Sequence, residues 1–376
     1  MPERAPRPPR RPGLRRGYSR RVQPVAVRIL HPQPGTRAGP LERSLATARE
    51  ANANRLVGLF RQAGVGDVRI ESGLADALPF GARLRRLVEG LPDEAGLVVL
   101  GSGAIPLGTR RDVERFAGVA AAGDRRALAN TFYSADIVAI GNASALRAVP
   151  DLPSDNALPR WLEEVAAFEV DDLRRRWRLA VDLDSPLDVL LTGGPLHPAT
   201  DRTPVEARLD RIRAVASDRR AELVVAGRTN AAALRWLERS TASRTRALIE
   251  ERGLRASSPA AMPLAGRPSS AKPPRSILGF LLDDRGPDAL GDLILELGDG
   301  ALLDSRVLLA HRLGADESAW PSAEDRFASD LLLGDQIKDP WLRALTTAAR
   351  DASIPILLGG HTLVGPGIRL ALGGHR

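Results

Sequence analysis

The sequence predicts an α/β protein with two Rossmann-like αβα domains, each built around a mainly parallel sheet. Short apolar runs alternate with longer stretches of helical period along the chain, which favours parallel strands connected by helices. The run at 96–103 is apolar and closed by glycine, as is typical of strands buried on both faces. With 376 residues, the chain is also too long for one compact core and long enough for two.

The first half of the chain keeps this alternation from residue 25 onward. Predicted strands lie at 25–30, 67–72, 96–103, 134–141 and 178–184, and predicted helices at 41–63, 80–91, 109–122 and 156–167. The first helix is expected to stop at Gly64, because glycine commonly follows the last helical turn. The order predicts a parallel sheet covered by helices.

The second half restarts the same alternation after a Pro-rich polar stretch. Predicted strands lie at 222–227, 246–251, 276–284, 301–311 and 354–361, and predicted helices at 205–220, 229–240, 286–299 and within 322–351. A Pro/Ser/Ala-rich stretch at 257–275 interrupts the order and predicts a surface loop. A second Rossmann-like domain is the simplest account.

Four boundaries follow from these patterns. The predicted parts are a disordered Arg/Pro-rich tail at 1–22, a first domain at 23–195, a linker at 196–204 and a second domain at 205–376. The linker combines prolines and polar residues with no apolar period. The tail has almost nothing to bury, which is why we expect it to be disordered.

Composition excludes several classes of function. The chain has no cysteine, so disulfides, thiolate metal sites and cysteine nucleophiles are excluded. No apolar run approaches the roughly 20 residues that span a bilayer, so we expect a cytoplasmic protein that does not contact a membrane. The net charge is +8, but eight arginines against one glutamate fall before residue 22. Nucleic-acid binding is therefore expected only through the tail.

Two aspartates at the end of a predicted strand are the first candidate site. In RLAVDLDSPLD, Asp182 and Asp184 share one face of the strand end, and Asp188 follows a turn later. Carboxylates placed in this way could hold a divalent cation on nucleotide phosphates. Asp-Ser-Pro after a strand is equally an ordinary helix start, with Ser185 as N-cap and Pro186 in the first helical position.

The first domain resembles a known family. A strand followed by GSGAIPLGT and a helix, the strand in SADIVAIG and a closing VDLDSPLD are similar to the nucleotidyltransferases of the nucleotide-diphospho-sugar transferase (GT-A-like) superfamily. Within this superfamily, the segment of about residues 25–195 most resembles the guanylyltransferases of cofactor biosynthesis. The resemblance implies a GT-A-like first domain with Asp182 and Asp184 beside a nucleotide and Mg²⁺.

The resemblance also implies nucleotide contacts at two glycine-containing loops. The loop ILHPQPGTRAGPLERS offers Gly35 and Arg37, although prolines remove backbone donors and no lysine follows. The turn after the strand at 96–103 offers Gly101, Ser102 and Gly103, with Ser102 where the family has a metal-binding aspartate. A plain strand-to-helix turn is the alternative interpretation of that segment.

Two further groups of polar residues are candidates. In SDNALPRWLEE, Asp155 or Asn156 could cap a helix, and Arg160 with Trp161 could offer a cation and a ring to a substrate anion or base. Asn156 and Arg160 are thus candidate nucleotide contacts, and capping with core packing is the alternative. The second domain places a set of polar residues next to apolar strands, and these are Asp304, Arg306, His311, Asp330, Gly359, Gly360 and His361. If Asp304, His311, Asp330 and His361 converge, they could bind a transition metal or form an acid/base pair. The glycines could instead form a backbone cradle for an anion, and the structural alternative is ion pairing with glycine-assisted turns.

The sequence therefore leaves three functions open. The first is a nucleotide or nucleotide-sugar binding protein related to nucleotidyltransferases, using Mg²⁺ and acting on a nucleotide or phosphorylated small molecule. The second is a noncatalytic binding or scaffold protein on a degenerate transferase fold. The third is a hydrolase-type activity located in the second domain. The oligomeric state has no signal in the sequence.

Overall fold

Two separate β-sheets organise the residues that the computed structural model describes, which are 23–74, 78–152, 154–252 and 274–373. The predicted tail at 1–22 and most of the predicted loop at 257–275 lie outside these residues. Both sheets are mainly parallel and both are covered by helices. The predicted fold class, an α/β protein with two Rossmann-like units, is confirmed.

The first sheet has six strands in the order β2-β1-β3-β5-β4-β6. Their bounds are β1 Val25–Gln33, β2 Asp67–Leu74, β3 Gly96–Gly101, β4 Arg126–Ala129, β5 Ile137–Ile140 and β6 Glu169–Asp172. All neighbours are parallel except β5, which runs antiparallel to both β3 and β4. The reversed β5 brings the residue that precedes it to the carboxyl edge of β3.

Helices cover both faces of this sheet. They are α1 Pro40–Gln62, α2 Phe80–Val88, α3 Arg110–Ala120 and α4 Leu158–Glu164, and α5 Pro186–Leu191 follows at the edge of the unit. One apolar core contains Phe60 and Phe116 from α1 and α3, and the other contains Leu84 and Trp161 from α2 and α4. Thr109 caps α3 with its hydroxyl as expected.

The second sheet has four strands, all parallel, in the order β10-β9-β7-β8. The strands are β7 Glu222–Gly227, β8 Arg244–Ile249, β9 Gly300–Asp304 and β10 Ile356–Gly359. The helices are α6 Thr203–Ser217, α7 Ala231–Ser240, α8 Ile277–Arg285, α9 Leu290–Leu295, α10 Ser305–Leu313, α11 Ala323–Asp330, α12 Pro340–Asp351, α13 His361–Val364 and α14 Ile368–Ala371. No helix of the described segments is long and apolar enough to cross a membrane.

Three predicted strands are wrong in whole or in part. The run at 276–284 is the helix α8, because Ser276 caps it and Leu278 and Leu282 bury one helical face. Only the first part of 301–311 is a strand, since Asp304 caps α10 and ends it. In place of a strand at 178–184, a 3₁₀ helix at Trp177–Ala180 is followed by a single bridge to β3's loop.

The two sheet units share an extensive contact that shapes the site. One apolar core combines Leu41 and Leu45 of α1 and Leu187 of α5 with the second sheet. The carboxylate of Glu324 on α11 accepts hydrogen bonds from the backbone N–H groups of Leu41 and Glu42, at 3.0 to 3.1 Å. The two units are thus joined at the start of α1, and the predicted boundary at 196–204 stays a prediction.

Candidate functional site

The loop that follows β3 is held rigidly by α1. Asn52 Nδ2 donates to the carbonyls of Ser102 and Ala104, at 2.8 and 3.0 Å. Arg55 donates to the carbonyls of Ile105 and Gly108, each at 2.9 Å. These bonds fix the backbone between β3 and α3.

Ile105 carries the strain of this loop. Its φ is +44°, in the left-handed region that a β-branched residue rarely adopts. Its side chain is fully buried, and the bond from Arg55 satisfies its carbonyl. Strained backbone of this kind is concentrated at functional sites.

Ser102 points into the protein interior. Its hydroxyl lies 3.0 Å from Nδ1 of His31, and both residues are buried. Burial lowers the pKa of His31, which favours the neutral ring. The structure therefore places the Ser102 hydroxyl against His31 on β1.

Gly103 lies directly against the DLD segment. Leu183 N–H donates to the Gly103 carbonyl at 3.1 Å, and Asp182 bridges to Ala104 in antiparallel fashion. A β-carbon at Gly103 would lie 2.8 Å from Asp182 Oδ1 and 3.0 Å from the Leu183 carbonyl. Glycine at this position therefore allows the predicted aspartates to approach the β3 loop.

Asp182 and Asp184 form the centre of the site. Each carboxylate acts on the pKa of the other, and Asp182 Oδ1 is buried with no hydrogen-bond partner. Arg49 on α1 donates to the Leu183 carbonyl at 2.7 Å and pairs with Asp184 Oδ1 at 3.2 Å. Because the Asp184 side chain is still 67% exposed, solvent reaches the pair.

Two more aspartates belong to the same site, although the sequence suggested only a capping role for Asp155 and none for Asp136. Asp136 directly precedes β5, and Asn130 Nδ2 holds its carboxylate at 2.7 Å. Asp155 lies in the short 3₁₀ turn before α4 and accepts a hydrogen bond from Asn156 N–H at 2.9 Å. We call Asp136, Asp155, Asp182 and Asp184 the acidic cluster.

The protonation of the acidic cluster reflects crowding of like charges. Burial and the neighbouring Asp184 raise the pKa of Asp182 well above its ordinary range, and burial with Asp155 does the same for Asp136. Burial, together with Asp184, raises the pKa of Asp155 to about 6. The Arg49 guanidinium beside Asp184 holds the pKa of that carboxyl below its ordinary value.

Asp188, predicted as a nucleotide contact, serves as a helix cap. Its Oδ2 accepts from the backbone N–H groups of Asp184 and Ser185, at 2.9 and 2.8 Å, and Ser185 caps α5 with Pro186 next. The capping alternative for this segment is thus confirmed. Burial and the charge of Asp184 raise the pKa of Asp188 to about 8.

The second sheet brings some of its predicted residues together as ion pairs. Asp304 at the end of β9 accepts two bonds from the Arg228 guanidinium, at 2.5 and 3.0 Å. Arg306 and Asp330 form a second buried two-pronged pair. Arg228 and Arg306 counter the effect of burial and lower the pKa of Asp304, and the charge of His361 acts in the same direction. Asp304, Arg306, Asp330 and His361 therefore belong to one neighbourhood.

His311 does not join that group. Its Nδ1 accepts from Ser276 N–H at 3.0 Å, so Nε2 carries the proton and donates to Asp283 at 2.9 Å. It lies two helical turns beyond Asp304, about 10 Å along α10. His311 thus joins α8 to α10, and the hypothesis of a four-residue convergence that includes it is wrong.

The remaining predicted contacts lie at the periphery. Gly35 and Arg37 are exposed in the loop before α1, and the first N–H groups of α1, where an anion would be expected, are already bonded to Glu324. Arg160 pairs with Glu164 one turn along α4, at 2.8 Å. Gly359 ends β10, and Gly360 precedes α13.

The acidic cluster offers too few ligands to bind Mg²⁺ by itself, so a substrate would have to supply further oxygen ligands. Among the described residues, no group of three or more histidine, aspartate or glutamate side chains could hold a metal ion by itself. Asp182 and Asp184 are nevertheless adjacent, and the unpartnered Asp182 Oδ1 calls for a cation or donor. Mg²⁺ commonly uses one or two carboxylates together with substrate phosphates, so this pair is a suitable partial site.

Comparison with known proteins adds no relative to this picture. No family model, no curated protein and no solved structure matches the chain. The α/β architecture, the loop held by α1 and the acidic cluster are therefore the observations from which function must be inferred.

Proposed function

We propose that the protein binds a nucleotide or nucleotide sugar together with Mg²⁺ at the acidic cluster, as a relative of the nucleotidyltransferases that its first domain resembles. The observation that carries the proposal is the position of Asp182, whose Oδ1 is buried without a hydrogen-bond partner beside Gly103, two positions before the exposed Asp184. Crowded carboxylates raise each other's pKa, and a divalent cation relieves that repulsion.

Different residues would bind the cation, position its ligands and form the wall of the site. Asp182 and Asp184 would hold Mg²⁺, and Arg49 keeps Asp184 ionised and in place through its 3.2 Å contact. When bound, Mg²⁺ would neutralise phosphate charge and polarise the α-phosphorus toward an acceptor. The loop at 101–108, fixed by Asn52 and Arg55, supplies a rigid wall beside the two carboxylates.

A binding titration tests the proposal directly. Calorimetry with GTP, CTP, UTP and ATP, each with and without Mg²⁺, is expected to show cation-dependent binding of at least one nucleotide. Asp184→Asn should weaken that binding by about 10-fold or more, because it removes one charge from the cation. Asp151→Asn is the matched control, since its side chain is 61% exposed and is also paired with an arginine. Absence of binding by all four nucleotides would overturn the proposal.

A noncatalytic protein on the same fold is the second candidate. It is favoured by Glu324, whose carboxylate occupies the start of α1 where the resemblance implies a phosphate, and by Ser102 in place of a metal-binding aspartate. Binding without release of pyrophosphate, measured against a range of phosphorylated acceptors, would select this candidate. Release that depends on Asp182 and Asp184 would select the transferase.

A further inference from the structure

The carboxyl edge of the second sheet collects polar groups from all four of its strands. Arg228 follows β7, Arg252 follows β8, Asp304 ends β9, and His361 comes just after β10. In the order β10-β9-β7-β8, β8 lies on one side of β7 and β9, which comes later in the chain, lies on the other side. The direction of the strand order therefore reverses between β7 and β9. Open parallel sheets bind ligands at this kind of switch point, outside the carboxyl ends of the strands.

The switch point between β7 and β9 is built around Arg228. Gly227 at the end of β7 has φ of +123°, and a β-carbon there would lie 2.2 Å from the β-carbon of Asp304. This close approach lets Asp304 bind Nε and Nη2 of Arg228. Nη1 makes no hydrogen bond within the described chain segments. The hydroxyl of the next residue, Thr229, is buried and has no partner either.

Arg252 supplies a second guanidinium at this edge. One of its Nη atoms pairs with Glu317, and the group lies 5.8 Å over the Trp320 ring. Its Nε and Nη2 have no hydrogen-bond partner among the residues that the structure describes. Arg228 and Arg252 follow the neighbouring parallel strands β7 and β8, so both lie at the same edge of the sheet, and burial together with the like charge of Arg228 lowers the pKa of Arg252.

The carboxyl edge of the second sheet also lies next to the acidic cluster, because the hydroxyl of Thr362, just after β10, donates to the Asp182 carbonyl at 3.2 Å. The charge of Arg252 acts on both Asp155 and Asp184, and that of Arg228 acts on Asp184. We call Arg228 and Arg252 the arginine pair. A ligand that bridged the two sheet units would therefore meet carboxylates on one side and unsatisfied guanidinium donors on the other.

We propose that the arginine pair binds the phosphoryl group of the second substrate, the acceptor that faces the nucleotide site across the junction of the two sheets. Planar guanidiniums with paired N–H donors match the oxygens of a phosphoryl group. Asp304 and Glu317 hold the arginines in place while leaving these donors open. The acceptor role rests on the proposed function, whereas binding of the phosphoryl group can be measured without it.

Calorimetry of the full chain with inorganic phosphate, without divalent cation, tests the site. Arg252→Gln should weaken phosphate binding by about tenfold through loss of two charged donors. Arg326→Gln should leave it within about twofold, because Arg326 binds the same Glu317 and lies over the same Trp320 ring, but its charge acts on Asp330. Arg228→Lys keeps a charge beside Asp304 and should still weaken binding.

The outcomes separate this proposal from the preceding one. Equal phosphate affinity in Arg252→Gln and Arg326→Gln would overturn the arginine site, even if Mg²⁺ and nucleotide still bind at Asp182 and Asp184. Loss of Mg²⁺-dependent nucleotide affinity in Arg252→Gln would assign the arginine pair to the nucleotide's own phosphates and overturn the acceptor role. Phosphate binding without any nucleotide binding would support the site and sink the proposed function.

Discussion

The two sheet units treat their buried aspartates differently. In the second unit, Asp304 and Asp330 each have an arginine of their own with two-pronged geometry. In the acidic cluster, no arginine of the described residues pairs with Asp182 or Asp136, and the pKa of each is raised by burial and like charge. Paired groups of the first kind stabilise the fold, whereas buried groups without a partner are where we expect a ligand to bind.

Breaking a satisfied pair should produce the largest effect on stability. Asp330→Asn leaves the buried Arg306 charge without its partner, so the free energy of unfolding should fall by about 3 to 5 kcal/mol. Urea denaturation followed by circular dichroism measures this loss. Asp335→Asn, on a side chain that is 92% exposed, should change stability by less than about 0.5 kcal/mol. An equal loss of stability in Asp330→Asn and Asp335→Asn would show that the Arg306–Asp330 pair does not stabilise the fold.

Asp188 should make stability depend on pH. Its folded pKa of about 8 lies above the ordinary value of 3.8. The contribution of Asp188 to the free energy of unfolding is therefore fully present below about pH 4 and is lost as the pH rises through 8. The charged groups that face it are Asp184, Asp330 and Arg306. If half of the shift is expressed, the free energy of unfolding of Asp188→Asn relative to wild type should rise by about 3 kcal/mol from pH 4 to pH 9.

Denaturant titrations at several pH values, with both proteins in the same buffers, give this difference. A flat difference between Asp188→Asn and wild type would show that Asp188 is ionised at neutral pH, with Arg306 as its effective partner. Burial and like charge would then not explain how the two units differ in the protonation of their aspartates.

Relief of the acidic cluster should stabilise the protein while removing its function. Asp182→Asn removes a like charge from beside Asp184 and Asp136, so the free energy of unfolding at pH 8 should rise by about 0.5 to 2 kcal/mol. Cation-dependent nucleotide binding should be lost in the same variant. Thermal unfolding with and without Mg²⁺ measures both, and a destabilised Asp182→Asn would mean that the carboxylate serves the scaffold.

The smallest effect is expected at the exposed loop before α1. Arg37→Gln should leave nucleotide affinity within about twofold, because Glu324 already occupies the start of α1. Calorimetric titration of the same nucleotides provides the measurement. A large loss of affinity would show that phosphates reach this loop after all.

Sequence patterns predicted the fold where a strand is apolar throughout and ends in glycine. β3 was found this way, and the motif of Asp182 and Asp184 identified the centre of the site. A short apolar run does not distinguish strand from helix, which explains the failure at 276–284. The four-residue strands β4 and β6 are too short to show a period.

The missed site residues depend on contacts between distant parts of the chain. Asp136 reaches the acidic cluster only because β5 runs antiparallel to β3. Arg228 and Arg252 are single charged residues after strands, and nothing local distinguishes them from ordinary surface arginines. Their significance comes from strand order and from the partners that leave part of each guanidinium unbonded.

The contact between Glu324 and the start of α1 has a consequence for protein synthesis. Leu41 and Glu324 are separated by 283 positions, so the first helix leaves the ribosome long before its cap is made. Until α11 arrives, the N–H groups of Leu41 and Glu42 remain open to water, and Leu45 lacks its apolar partners from the second sheet. The first half of the nascent chain therefore completes its folding only when most of the second half has followed it.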